Sequence, residues 1–211
     1  MNSPKASPTL VINEKVNAMW AAGEDVLHLG FGESRFPVHS ALACTFQENV
    51  LQQNYLPSSG IPELRETIAN YYSDKLGLRF DGSQVIVGVG SQETLFNALL
   101  TTLDPTERVI IPSPGYLGYL PAIELVNAVP TYVKLDEEDC FEINPDRVKK
   151  QIDKKKTKVI IINSPSNPTG NVLSKKTLEE LADIAVNNNL YIFSDEAYEQ
   201  LTFDKKHISI G

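Results

Sequence analysis

Cysteine is scarce in this 211-residue chain: Cys44 and Cys140 are the only two, they lie far apart, and neither belongs to a CxxC or other metal-ligand spacing. No metal site is indicated, and a reducing, cytoplasmic setting fits. Long hydrophobic runs are missing as well. The longest unbroken apolar stretch is five residues, far below what a membrane span requires. The opening segment MNSPKASPTLVINEK has no apolar signal core, so secretion is not expected. Positive charge is in deficit, with 19 Lys+Arg against 27 Asp+Glu and a net charge of −8. That balance argues against nucleic acid or a membrane surface as partner, since nothing offsets phosphate repulsion over a broad face. Internal repeats and Gly/Ser/Pro-rich linkers are also absent. What remains is an ordinary globular composition, 42% hydrophobic and 8% aromatic, long enough for one large α/β domain or two small ones.

The first third reads as helical. Thr9 is placed to cap a helix from about Leu10 to Ala22, with Gly23 as its stop. Val26–Leu29 is a short extended run before the turn-rich GFGESRFP, and a helix is expected over about Val38–Gln53. Pro62 to Leu76 carries Leu64, Ile68, Tyr71 and Tyr72 on a 3–4 spacing, opens on a proline and ends at Gly77, all marks of a helix. The rhythm then changes to strand–helix alternation. Strands are expected at Gln84–Val89, Arg108–Ile111, Thr131–Leu135, Lys158–Ile162 and Leu190–Ser194. Helices are expected at Ser91–Leu103, Tyr116–Asn127, Pro145–Ile152 (capped by Asn144) and Leu178–Asn187 (with Ser174 near its cap). Apolar strands bounded by helices imply a parallel sheet covered on both faces. Ligands of such sheets lie beyond the carboxyl ends of the strands.

Three of those ends are unusual. GVGSQET at 88–94 is a glycine turn into a helix, where unpaired N–H groups suit a phosphate and Ser91 and Gln92 add donors. It is not the dinucleotide fingerprint, because Glu93 stands where the last glycine belongs, and a plain turn capped by Ser91 is the other reading. NSPSNPTGNV at 163–172 is a rigid turn after an apolar strand, and Asn167 is restricted by the following Pro168. SDEAY at 194–198 puts Asp195 at a strand end with Tyr198 three residues on; a helix N-cap by Asp195 is the alternative.

Together with NYLPSSGIPELR at 54–65 and PSPGYLGY at 112–119, these motifs occur in an order that resembles the aspartate-aminotransferase family, the fold type I enzymes that use pyridoxal phosphate. The resemblance covers the chain from LGFGE near residue 29 to its end. It implies an α/β fold, the three-layer α/β/α large domain of fold type I, with an incomplete sheet and the N-terminal piece of the small domain. Residues 1–45 would be the N-terminal arm and part of the small domain, and 46–211 the cofactor-binding large domain. The implied cofactor is pyridoxal 5'-phosphate, and the implied substrates are an L-amino acid and a 2-oxo acid. By the same resemblance Asp195 meets the ring nitrogen, Asn167 and Tyr198 hydrogen-bond the phenolic oxygen, and Tyr116 stacks on the ring. Ser91 and Gln92 hold the phosphate. Tyr55 reaches the phosphate of a neighbouring subunit, which implies a homodimer. Gly32 approaches the substrate carboxylate, with Tyr119 lining the same pocket. His28, His39 and His207 match no family role and are expected to be structural.

The family's Schiff-base lysine lies further from the aspartate than the sixteen residues that follow Asp195 here, so no catalytic lysine is found. Lys205 and Lys206 stand too near and read as a solvated turn. In the family two later strands separate the first strand, here 84–89, from the strand at 158–162; without them the first strand is expected to lack a neighbour and apolar edges to be exposed. The sequence thus reads as an N-terminal portion, inactive and poorly stable alone. Two other readings stay open: a non-catalytic protein that binds the cofactor or pairs with a full-length subunit, and a lyase or synthase on the same scaffold.

Overall fold

In the computed structural model, residues 8–30, 32 and 36–211 are described. The chain divides into two compact units, 1–56 and 57–211.

The first unit holds helices α1 (Pro8–Ala21) and α2 (Ser40–Asn49). Helix α1 begins two residues before the expected start, so Thr9 lies inside it and is not its cap. The stop at Gly23 is as expected: its φ of +80° is a left-handed conformation natural to glycine. Residues 26–29 form no ladder, and His28 there faces the Asn13 side chain at 3.1 Å. His39 caps α2, its Nδ1 accepting from the Ala41 N–H. Among the described residues of this unit, Val16 alone is buried.

The second unit contains α3 (Pro62–Leu76), α4 (Ser91–Thr102), β1 (Arg108–Ser113), α5 (Tyr119–Leu125), β2 (Val129–Lys134), α6 (Pro145–Gln151), β3 (Thr157–Asn163), α7 (Lys175–Asn188) and β4 (Tyr191–Asp195). The four strands form one parallel sheet in the order β2-β1-β3-β4. The alternation of side chains along a strand explains the three layers. Val109, Ile111, Val159 and Ile161 face α4 and α5 in one core with Leu99, Tyr119 and Ile123. Ile110, Ile160 and Ile162 face the other way, against Val148 of α6 and Leu178, Leu181 and Ile184 of α7. Helix α3 matches its expected bounds, with Gly77 at φ +68° ending it. Asn144 caps α6 through the N–H groups of Asp146 and Arg147, and Ser174 caps α7 through that of Thr177.

Two expectations are corrected. Residues 85–89 are not a strand: Val85 has extended dihedrals, yet no ladder partner exists among the described residues. Ile86 is 71% and Val89 88% exposed, so the exposure foreseen for an unpaired first strand is what is found. Strand β3 is already flanked on both sides, by β1 and β4, so a further strand could not pair with it directly and would have to join at an edge of the sheet. Helix α5 is also shorter than the expected Tyr116–Asn127, because Pro114 through Gly118 form the turn that carries Tyr116.

The cores fix a stability prediction. Leu181→Ala, at a fully buried site, should cost about 2–5 kcal/mol. Val186→Ala on the exposed face of the same helix should stay within about 0.5 kcal/mol, both read from urea unfolding of the chain.

Candidate active site

Parallel strands put their carboxyl ends on one edge; there β3 and β4 release the expected loops 163–172 and 194–198, and β1 runs into the PSPGYLGY turn at 112–119. Registry sets the spacing between two of them. Asn163 at the end of β3 is paired with Asp195 at the end of β4, and the Asn163 amide donates to the Asp195 carbonyl at 2.9 Å. The Asn163 side-chain oxygen accepts from the Asn167 N–H at 2.7 Å, so one buried asparagine ties both loops to the sheet. The Asn167 amide then lies 3.5 Å from the Tyr198 hydroxyl, and these two expected partners do come together.

The Asp195 carboxylate is half-buried and held from two sides. Its Oδ1 accepts from the Ala197 N–H at 3.2 Å in a local turn; among the described residues no helix follows, so the alternative of a helix N-cap by Asp195 is not what is found. Its Oδ2 accepts from the Tyr119 hydroxyl at 2.7 Å. Tyr119 is 1% exposed, and burial, together with the Asp195 hydrogen bond and charge, pushes its phenol far above the ordinary tyrosine range. It therefore acts as a neutral donor. The sequence reading had placed Tyr119 in the substrate pocket; the structure makes it the support of Asp195. No local spacing marks that role, since its partner lies 76 residues away.

Tyr116 donates to the Gln92 side-chain oxygen at 2.9 Å and packs edge-on against Tyr119, centroids 5.4 Å apart. Burial raises its pKa as well, as do the charges of Tyr198 and Asp195. Gln92 and Ser91 open α4, where Gly90 at φ +83° is the N-cap and no side chain caps the helix. A β-carbon at Gly90 would meet nothing within 4 Å, so there is open space beside the start of α4, whose first N–H groups are the unpaired ones of any helix. Ser91 does not cap the helix itself, since it is the first helical residue.

Glu142 was not foreseen. Its carboxylate accepts from the Asn171 amide at 3.0 Å and the Ser174 N–H at 2.9 Å, which fixes the far end of the 163–174 loop. Burial pushes its pKa up, but the bonds from Thr177, Ser174 and Asn171 outweigh this and hold it below the usual carboxylate range. No local motif marks a lone glutamate thirty residues from its partner. Lys205 and Lys206 are exposed as expected, yet Lys205 also reaches the Asn171 oxygen and the Val172 carbonyl at 3.5 and 3.4 Å. His207 is buried against Glu196 at 3.1 Å, a structural role. Gly32 and Tyr55 belong to the 1–56 unit, where both are exposed.

An acid, an amide, three phenols and a helix start are thus gathered at one edge of the α/β sheet. The sequence profile of the class I and II aminotransferases matches residues 24–210, and the chain belongs to that family. It is 39% identical to the aspartate aminotransferase of Geobacillus stearothermophilus, over 97% of this chain and 53% of that protein. A solved aspartate aminotransferase of Thermus thermophilus with maleate superposes with a TM-score of 0.94 at 35% identity, over 98% of this chain and 55% of that one. An alanine aminotransferase of Pyrococcus furiosus gives a TM-score of 0.87 at 28% identity, over 98% and 56%. The chain thus spans about half the length of the curated relatives it matches. Among the described residues no helix is long and apolar enough to cross a membrane.

The Tyr119–Asp195 bond gives a pH prediction. A phenol whose folded pKa lies above its unfolded value near 10 contributes stability that is fully present below that value and lost as pH rises beyond it. Tyr119→Phe should therefore lower stability at neutral pH and flatten the alkaline decline by up to about 1.4 kcal/mol per pH unit. Urea unfolding between pH 8 and 11 measures both; equal alkaline slopes would show that the phenol is not held neutral.

Proposed function

We propose that this chain is the cofactor-binding portion of a pyridoxal-phosphate-dependent aminotransferase that moves an amino group between an L-amino acid and a 2-oxo acid. The observation that supports this best is the convergence of Asp195, Asn167, Tyr198 and Tyr116 at one edge of a parallel sheet. The residues fit the group: a carboxylate supported by a neutral phenol, two polar donors 3.5 Å apart, an aromatic face, and a helix start without a side-chain cap. When bound, the cofactor supplies an electron sink, its protonated pyridine ring taking up the pair left as the substrate loses its α-proton.

The chain's own residues would do the following. Asp195 would keep the proton on the ring nitrogen, since an adjacent carboxylate favours the charged pyridinium. Tyr119, by donating to Asp195, holds the carboxylate in place at the strand end. Asn167 and Tyr198 would donate to the phenolic oxygen, and Tyr116 would cover one ring face. Ser91, Gln92 and the first turn of α4 would bind the phosphate. Gly32 would border the substrate carboxylate, and Tyr55 would reach the phosphate of a second subunit in a homodimer. In this reading residues 1–45 serve as arm and small-domain piece, 46–211 as the cofactor-binding domain, and the setting is the cytoplasm.

Cofactor affinity tests the assignment. Asp195→Ala should weaken pyridoxal phosphate binding to the chain roughly 10- to 100-fold, the loss of one charge-assisted bond, as read by equilibrium dialysis. Unchanged affinity would show that another carboxylate does this work. Protein purified from its natural source should transfer amino groups from amino acids to 2-oxo acids, and a preparation that binds the cofactor without transfer would overturn the activity.

A further inference from the structure

Tyr198 lies on a turn that carries little core of its own. Inside it, the Glu199 N–H donates to the Glu196 carbonyl at 3.0 Å and the Leu201 N–H to the Tyr198 carbonyl at 2.8 Å. The ties that fix this turn come from outside. Glu196 accepts from the hydroxyls of Ser194 and Ser209 at 2.7 and 2.8 Å. On the other side of Tyr198, Glu199 pairs with Lys75 at 2.5 Å, and the Gln200 amide donates to the Tyr71 hydroxyl at 3.3 Å. Both of these partners are on α3, more than 120 residues away in sequence.

The Lys75–Glu199 pair is not a loose surface contact. Its side chains are only 28% and 12% exposed, and the Lys75 ammonium also stands 5.6 Å from the ring centres of both Tyr71 and Tyr72. A lysine packed against two rings has less rotamer freedom left to lose on pairing. Glu199 immediately follows Tyr198, so a tie at Glu199 restrains the backbone that carries the phenol. We propose that Lys75 and Glu199 are positioning residues for Tyr198: an ion pair through which α3 sets where that hydroxyl meets Asn167 and the cofactor's oxygen. This rests on the cofactor reading above for its consequence, though not for its geometry.

Two measurements separate the two. Hydrogen exchange needs no cofactor: Lys75→Met should speed exchange of the Glu199 and Leu201 amides roughly fivefold, and Lys75→Arg should restore protection. Unchanged exchange in Lys75→Met would overturn the proposal. Affinity for pyridoxal phosphate supplies the second arm, in a double-mutant cycle with Tyr198→Phe. Lys75→Met should weaken binding severalfold in the native background and have no further effect when Tyr198 is Phe. Equal weakening in both backgrounds would make Lys75 a general stabiliser and overturn the positioning role. If Tyr198→Phe and Asp195→Ala both bind like the native chain while exchange still responds, the cofactor reading fails and the clamp stands.

Discussion

Helices cover β1 and β3 on both faces, and from that single constraint the site follows. Strands buried on both sides must be apolar at every interior position, and the chain can return to start each one only through a helix, so all of them point the same way. Their carboxyl ends then share one edge. Polar groups placed just past those ends are the first ones free of the core, and Asn163, Asp195 and the Ser113 turn all occur there. The β3–β4 register does the rest, because pairing Asn163 with Asp195 leaves only short loops to bring Asn167 to Tyr198.

Holding such groups at the edge of a dry sheet carries a desolvation cost, and the chain meets it with bonds rather than exposure. Asn163 spends both ends of its amide on the two neighbouring loops. Tyr119 buries a phenol that has one strong acceptor, Asp195, and burial keeps it neutral so that it can only donate there. Glu142 brings a charge to the start of α7 and satisfies it with the amide, hydroxyl and N–H donors of Asn171, Thr177 and Ser174. Each of these groups is satisfied because its partners are fixed by secondary structure, the condition under which a buried polar network specifies one arrangement.

Which of this was legible in the sequence follows from how local each signal is. Helix α3 was bounded correctly because proline, a 3–4 apolar spacing and a terminal glycine all lie inside it. The caps Asn144 and Ser174 act over three residues and were equally readable. The loops GSQET, NPTG and SDEAY were found by their order, and Asn167 and Tyr198 meet as expected, though thirty-one residues separate them. Tyr119, Glu142 and Lys75 were not assigned their roles because each acts on a partner set by the fold, not by spacing. Residues 85–89 have the composition of a buried strand, but composition cannot say whether a neighbour is present to pair with it.

The same sheet distributes its rigidity unevenly. Strands β1 and β3 are flanked on both sides, whereas β4, which delivers Asp195, is an edge strand with Tyr191 exposed. Beyond it the chain has no further ladder to lean on among the described residues. Asp195 and Tyr198 are therefore fixed by side-chain ties more than by sheet: Tyr119 from one core, Asn163 from β3, Glu196 to the serines, and Glu199 to α3. Such ties break one at a time, unlike a ladder, which opens cooperatively. The acid and phenol assigned to the cofactor thus depend on side-chain ties, while Asn167, on the loop that leaves β3, is held by its N–H bond to the Asn163 side chain.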